Sequence, residues 1–298
     1  MCRLCDPKRP QLPCPTRRDF LTVSAVGGAA ATLGMGSTAT ARAQDAAAAT
    51  LPEGLGTPGR RVLIKGGAVL SVDDAVGNYP VGDVLIDGKT IVEVGANIDA
   101  PDAVQIDASG KIVMPGFVDT HHHQFETALR SQLANGILIN DGRPANASNY
   151  YETILQGFSM VYRPEDVYIN ELFGGIAQLD AGVTTVMDVS QIHHSPEHSD
   201  AAIEGLRDAG RRGVFGYFEG WGDRAKYPQD AARIKSQYFS SDDQLTTMVM
   251  GGEIYLPGYE AAWKIGRELG LPIALHVVGT FGMQPTFDEL GAAGMFGE

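Results

Sequence analysis

The 298 residues contain seven histidines: His121, His122, His123, His193, His194, His198 and His276. Neutral imidazole is a good ligand for zinc and other transition metals, so their placement is the first question. Three of them are consecutive. In an extended strand residues i and i+2 point to the same side. His121 and His123 can therefore offer lone pairs to one ion while His122 faces away. A histidine run can equally be a solvated loop. Here it follows an apolar stretch and a Pro115-Gly116 turn, and that context favours a strand tip carrying two metal ligands.

The remaining candidates lie downstream. His276 ends the run Pro272-Ile273-Ala274-Leu275. Glu219 and Glu253 each follow an apolar run and can carry a proton to a leaving group, or serve as solvated loop carboxylates. Glu126 stands three residues beyond His123, where it can position a polar substrate group or simply favour a helix N-terminus. His193, His194 and His198 form a second cluster, Gln191-Ile192-His193-His194-Ser195-Pro196-Glu197-His198. His193 and His194 are the substrate-contact candidates of that cluster; the bland reading is a hydrogen-bonded loop with Ser195 or Ser199 capping a helix. Asp188 can orient a ligand histidine or bond backbone. Trp221 and Tyr255 can wall a pocket or merely pack.

These residues need elements to hold them. Residues 61–110 read as short β segments. Segment 61–65 is expected to turn at Gly66-Gly67 into 68–72, and 83–86 to turn at Asp87-Gly88 into 90–94, with 104–106 following. Asp-Gly between apolar runs is a hairpin signal, so a small antiparallel β unit is expected. From 112 the pattern changes. A buried strand is expected over 112–119 and an irregular excursion over 136–163. A helix follows over 164–181, with Val167, Ile169, Leu172, Phe173, Ile176 and Leu179 in one apolar stripe. Strands are then expected at 183–188, 214–218, 247–250 and 272–277. They alternate with helices at 197–211, 229–238 and 259–269 and the start of one more at 285–290. Strand alternating with helix five times indicates parallel βαβ units. All seven histidines fall at or just past a strand end, the face on which a parallel α/β barrel builds its active site.

Composition narrows the partners. Hydrophobic residues make up 44% and charged residues 20%, ordinary for a globular chain. The net charge of −13 argues against nucleic acid and against an anionic membrane surface. The three cysteines, Cys2, Cys5 and Cys14, all precede residue 15, so no disulfide framework holds the body of the chain.

Residues 1–43 resemble a twin-arginine export signal. Arg17-Arg18 is followed by Phe20-Leu21, an uncharged stretch to Ser37, and a small-x-small cleavage site at Ala41-Arg42-Ala43. The alternative, a retained membrane anchor, suits the stretch poorly, because Gly27, Gly28, Gly34 and Gly36 weaken a spanning helix. Residues 44–60 read as a linker. The expectation is export to the periplasm or beyond, with no membrane anchor after cleavage.

Met114-Pro115-Gly116-Phe117-Val118-Asp119-Thr120-His121-His122-His123 resembles the first barrel strand of the amidohydrolase superfamily. Gly182-Val183-Thr184-Thr185-Val186-Met187-Asp188 resembles its second, and Leu275-His276 its fifth. The resemblance points to the branch that includes cytosine deaminase and triazine hydrolases. It implies a partial TIM-type (β/α)8 barrel of about five βα units over 111–298, preceded by a small antiparallel β-sandwich at 61–110. It also implies a divalent metal, zinc first and iron or manganese next, held by His121, His123 and His276. The activity it implies is hydrolysis of a non-peptide carbon–nitrogen bond in a small cyclic amide or amino-heterocycle, with association into a homo-oligomer open. In other branches an acidic residue on strand three or four binds metal, which keeps Glu219 and Glu253 in view. The chain departs from the pattern at Gly279, where a proton-shuttling glutamate is expected three residues after the fifth-strand histidine. A closed barrel takes about 250 residues, so a truncated or interrupted member is expected. Two rival readings follow: an inactive fragment, and a hydrolase of dipeptide-like amides.

Overall fold

The structure, a computed structural model, describes residues 53–54, 57–133, 136–140, 142–144, 147–254, 256–277 and 284–296. The expected signal at 1–43, most of the linker, Tyr255 and Gly279 lie outside the described residues. The chain divides into two compact units, one comprising residues up to 65 with 83–107, the other 66–82 with 108–298.

In the first sheet, β1 (Arg61–Val69), β2 (Tyr79–Asp87), β3 (Thr90–Gly95) and β4 (Val104–Asp107) run in the order β3-β2-β1-β4, and β5 (Ile112–Val113) pairs with β1. The β2–β3 hairpin forms as the Asp-Gly signal indicates. Asp87 faces Thr90, with Gly88 at φ +57° between them. The expected all-antiparallel unit does not form: β1 is parallel to both β4 and β5, and the described strands make one mixed sheet. Nor does Gly66-Gly67 reverse the chain; β1 runs straight through it. Gly66 takes a left-handed φ of +76°, and Gly67 serves close approach. A Cβ on Gly67 would stand 2.6 Å from the Val113 side chain and 3.1 Å from Ala108 Cβ. Leu63, Leu85, Ile98, Ala100 and Ala103 form this sheet's core.

The second unit is built on parallel strands β6 (Phe117–His122), β7 (Val183–Ser190), β8 (Arg212–Tyr217) and β9 (Thr246–Met250), in that order. Helices α1 (Pro164–Asp180), α2 (Pro196–Asp208), α3 (Ala231–Tyr238) and α4 (Tyr259–Glu268) follow β6 to β9 respectively, and α5 (Gln284–Ala292) comes last. The expected fifth strand is an extended segment held by parallel bridges Met250–Ile273 and Glu253–His276. This mixed α/β arrangement fits a partial TIM-like fold. Its core interleaves strand residues Val186, Phe215, Tyr217, Met248 and Met250 with helix residues Ala202, Ile203, Leu206, Ile234 and Trp263. Each large side chain so buried stabilises the fold by about 1.5–3 kcal/mol.

Three further expectations change. The run 112–119 is not one buried strand but two short ones. Phe117 and Val118 are 56% and 62% exposed, because among the described residues β6 pairs with β7 alone. In α1 only Val167 of the expected stripe is buried, and Ile169, Phe173 and Ile176 are half exposed. The buried side instead carries Asn170, Glu171, Gly174 and Gly175. The cause is the α1–α2 crossing: a Cβ on Gly205 of α2 would lie 2.6 Å from both Glu171 Cβ and the Tyr168 carbonyl oxygen. Finally, the excursion contains a π-helix, Tyr151–Phe158, and a 3-10 turn, Ser159–Val161. Asn149 starts it, accepting the Glu152 N–H at 3.0 Å and donating to the Glu152 carboxylate at 3.0 Å.

Candidate metal centre

His121 lies at the end of β6 and His123 just past it, and their rings meet. Their Nε2 atoms are 3.2 Å apart. His122 pairs through Nδ1 with Asp119 Oδ2 at 3.0 Å. The extended segment after α4 brings in His276. Ring centroids are 5.1 Å apart for His121–His123, 5.0 Å for His121–His276 and 5.2 Å for His123–His276. One ligand nitrogen from each falls within 4.8 Å of the others.

The protein settles which nitrogen points inward. His123 Nδ1 lies 2.9 Å from the Val189 carbonyl oxygen. A carbonyl only accepts, so Nδ1 carries the hydrogen and Nε2 keeps its lone pair. His276 Nδ1 lies 2.6 Å from Glu253 Oε1, which likewise leaves Nε2 free. Burial is the main reason His121 and His123 resist protonation. It lowers His121, with the His276 charge next, and takes His123 down to about 3. Neutral imidazoles are what a metal needs. Zinc–nitrogen bonds of 2.0–2.1 Å at tetrahedral angles set ligand nitrogens about 3.3 Å apart, close to the His121–His123 separation. The donor set and its spacing fit a divalent ion.

Carboxylates ring this cluster. Glu126 borders a cavity of about 500 Å³ that His121, His122, His123, Arg130, Phe173 and Gln178 also line. Burial pushes Glu126 up to about 7, and Tyr150 donates its hydroxyl to it at 2.5 Å. Glu219 is also raised to about 7 by burial, and its Oε1 accepts the Glu253 N–H at 2.9 Å. Glu253 itself is engaged by His276 and by the Gln191 side-chain amide.

Behind β6, Asp188 accepts the backbone N–H of Gln124 at 3.0 Å. Arg211 donates to the Gln124 side chain at 3.1 Å. Burial raises both Glu171 and Asp188, and Arg211 offsets the negative charge that remains. Together, Asp188 and the adjoining Val189 carbonyl clamp the turn that carries His123.

The second histidine cluster is buried. His193 is 1% exposed, with Nδ1 at 3.0 Å from Ser199 Oγ and its ring against Phe215 and Tyr217. His194 takes the Trp221 N–H on Nδ1 at 3.1 Å and meets the Ser159 carbonyl through Nε2 at 3.2 Å. His198 bridges Ser195 Oγ and the Tyr162 carbonyl. Through these bonds His194 and His198 hold the 159–162 segment, while His193 Nε2 is buried with no hydrogen-bond partner among the described residues. Sequence reasoning missed Tyr150, Val189 and Gln191. A backbone carbonyl and two long-range polar partners leave no local pattern.

The amidohydrolase family profile matches residues 112–280, more than half of the chain. The chain belongs to the amidohydrolase family. Residues 14–34 match the twin-arginine translocation pathway signal sequence, which supports export by that route. Among curated proteins, this amidohydrolase is similar to 5-methylthioadenosine/S-adenosylhomocysteine deaminases. That of Pelotomaculum thermopropionicum is 28% identical over 193 residues, 63% of this chain and 41% of that protein. That of Symbiobacterium thermophilum is 32% identical over 157 residues, 52% and 33% of the two chains. Among solved structures, the atrazine chlorohydrolase of Arthrobacter aurescens complexed with zinc superposes with a TM-score of 0.59. It is 23% identical, with 73% of this chain and 53% of that one covered. A zinc-bound adenosine deaminase from Xanthomonas campestris gives 0.54 at 20% identity, with 72% and 49% covered. At these identities the structural likeness speaks to fold. The chain spans less than two thirds of the length of each of these relatives.

Proposed function

We propose that this exported amidohydrolase cleaves a non-peptide carbon–nitrogen bond in a small cyclic amide or amino-heterocycle. His121, His123 and His276 would hold the divalent ion, zinc ahead of iron or manganese. The observation that carries the reading is the convergence of three imidazole nitrogens from two distant segments within 4.8 Å. When bound, such an ion supplies Lewis acidity and makes water a competent nucleophile at neutral pH.

The remaining work falls to side chains. A leaving nitrogen needs a proton. Burial holds the Glu219 carboxyl half-protonated near pH 7, which suits it to carry one. Glu126, steadied by Tyr150, offers a carboxyl on the cavity wall to a polar group of the substrate. The relatives, a 5-methylthioadenosine/S-adenosylhomocysteine deaminase and a triazine hydrolase, support a nitrogen heterocycle as the substrate class. The signal match supports action in the periplasm or outside the cell.

The test is a panel of aminopurines, aminopyrimidines, aminotriazines and cyclic amides, with dipeptides alongside, given to the zinc-loaded chain. Ammonia release or ring opening is followed. Turnover of a heterocycle or cyclic amide that a chelator abolishes is expected. Turnover of dipeptides alone, or none on any substrate, would overturn the proposal.

A further inference from the structure

Glu253 stands beside the three histidines, where a proton carrier would be sought, but its bonds commit it elsewhere. The residue is 1% exposed. Its Oε1 meets His276 Nδ1 at 2.6 Å and also receives the amide of Gln191, from the segment after β7. The parallel bridge between Glu253 and His276 sets the two residues side by side. The His276 N–H reaches the Gly252 carbonyl at 3.2 Å, and the Glu253 N–H reaches Glu219 at 2.9 Å. Both the backbone and the carboxylate of residue 253 are thus fixed. A carboxylate held this way, with two donors on one oxygen and closed to solvent, is badly placed to collect a proton from water.

We propose that Glu253 is a positioning residue: it holds His276 as the Nδ1–H tautomer with its Nε2 lone pair turned toward His121 and His123, while Gln191 pins the carboxylate. The proposal rests on the metal reading of the three histidines. Ligand imidazoles commonly donate their other N–H to a carboxylate or carbonyl, which fixes the ring and raises its basicity. His123 receives the same service from the Val189 carbonyl. A carboxylate is the stronger acceptor, and His276 stands on a segment held by isolated bridges rather than a full strand. This ligand therefore depends most on such help.

The test is a Co2+ titration of the parent chain and of Glu253→Ala, Glu253→Gln and Gln191→Ala, read by visible absorption, with turnover measured at saturating metal. Glu253→Ala should bind Co2+ about 10–100-fold more weakly. Glu253→Gln keeps a neutral acceptor and should fall between it and the parent. Gln191→Ala leaves the carboxylate in place and should show a smaller, few-fold loss; it keeps the test alive should Glu253→Ala fail to fold. Turnover should recover once metal is saturating. Parent-like affinity in Glu253→Ala, with or without loss of turnover, would overturn the positioning role; with turnover lost, it would mark Glu253 as a proton carrier. A parent chain that takes up no Co2+ would overturn the metal reading itself, and this proposal with it.

Discussion

Acidification should weaken the fold through His193, and the size of the effect follows from its burial. The ring is enclosed by Phe215, Tyr217 and Ser199, and desolvation takes its pKa from 6.5 down to about 3. In the unfolded chain the imidazole protonates through about pH 6.5. The folded form stays neutral until far lower. Stability from this group is therefore complete above 6.5 and falls as pH drops toward 3. Between pH 8 and pH 5 the unfolded state gains about 1.5 pH units of proton binding that the folded state lacks, at 1.36 kcal/mol per unit. That is about 2 kcal/mol, and any folded value at or below 4 gives the same figure. The assay is urea unfolding at pH 8 and pH 5 for the parent and for His193→Gln. The variant pays a fixed packing cost at both pH values, so only the difference in pH dependence counts. The parent should lose about 2 kcal/mol more than the variant on acidification. Equal losses would show that residue 193 titrates normally and that the packing described for it is wrong.

Gly205→Ala should destabilise the chain by about 1–3 kcal/mol in urea despite the better helix propensity of alanine, because the added Cβ meets a backbone carbonyl at 2.6 Å; unchanged or raised stability would contradict the tight α1–α2 crossing. Tyr150→Phe removes a hydrogen bond that lowers the Glu126 pKa, so the substrate-binding pH profile should move its limb near 7 upward; a limb that stays put would detach Glu126 from binding. Glu126→Gln should raise KM and leave metal content at the parent level, and a loss of metal would place Glu126 among the ligands instead.

The parallel half of the fold was legible because its periods are clean. The inward set Ala201, Ala202, Ile203 and Leu206 of α2 is buried as its spacing requires, and the strands at 183, 214 and 247 form β7 to β9 within a few residues. Errors cluster where a glycine or a buried charge overrides hydrophobic pattern. Gly66-Gly67 looked like a turn and proved to be a passage for Val113. In α1 the hydrophobic pattern points to Ile169 and Phe173, yet Glu171 and two glycines face the core. At the candidate site the i, i+2 rule brought His121 and His123 together on paper, and strand-end logic added His276. Their supports could not be read, since the Val189 carbonyl and the Gln191 amide lie 66 and 62 residues from the groups they hold.

The central claim is that three imidazoles share one ion, and metal content tests it most directly. Zinc per chain should be measured in the purified parent and in His121→Ala, His276→Ala and His122→Ala. One equivalent is expected in the parent and in His122→Ala, whose ring pairs with Asp119, and a small fraction of that in the other two. Stoichiometric zinc in both His121→Ala and His276→Ala would contradict the account.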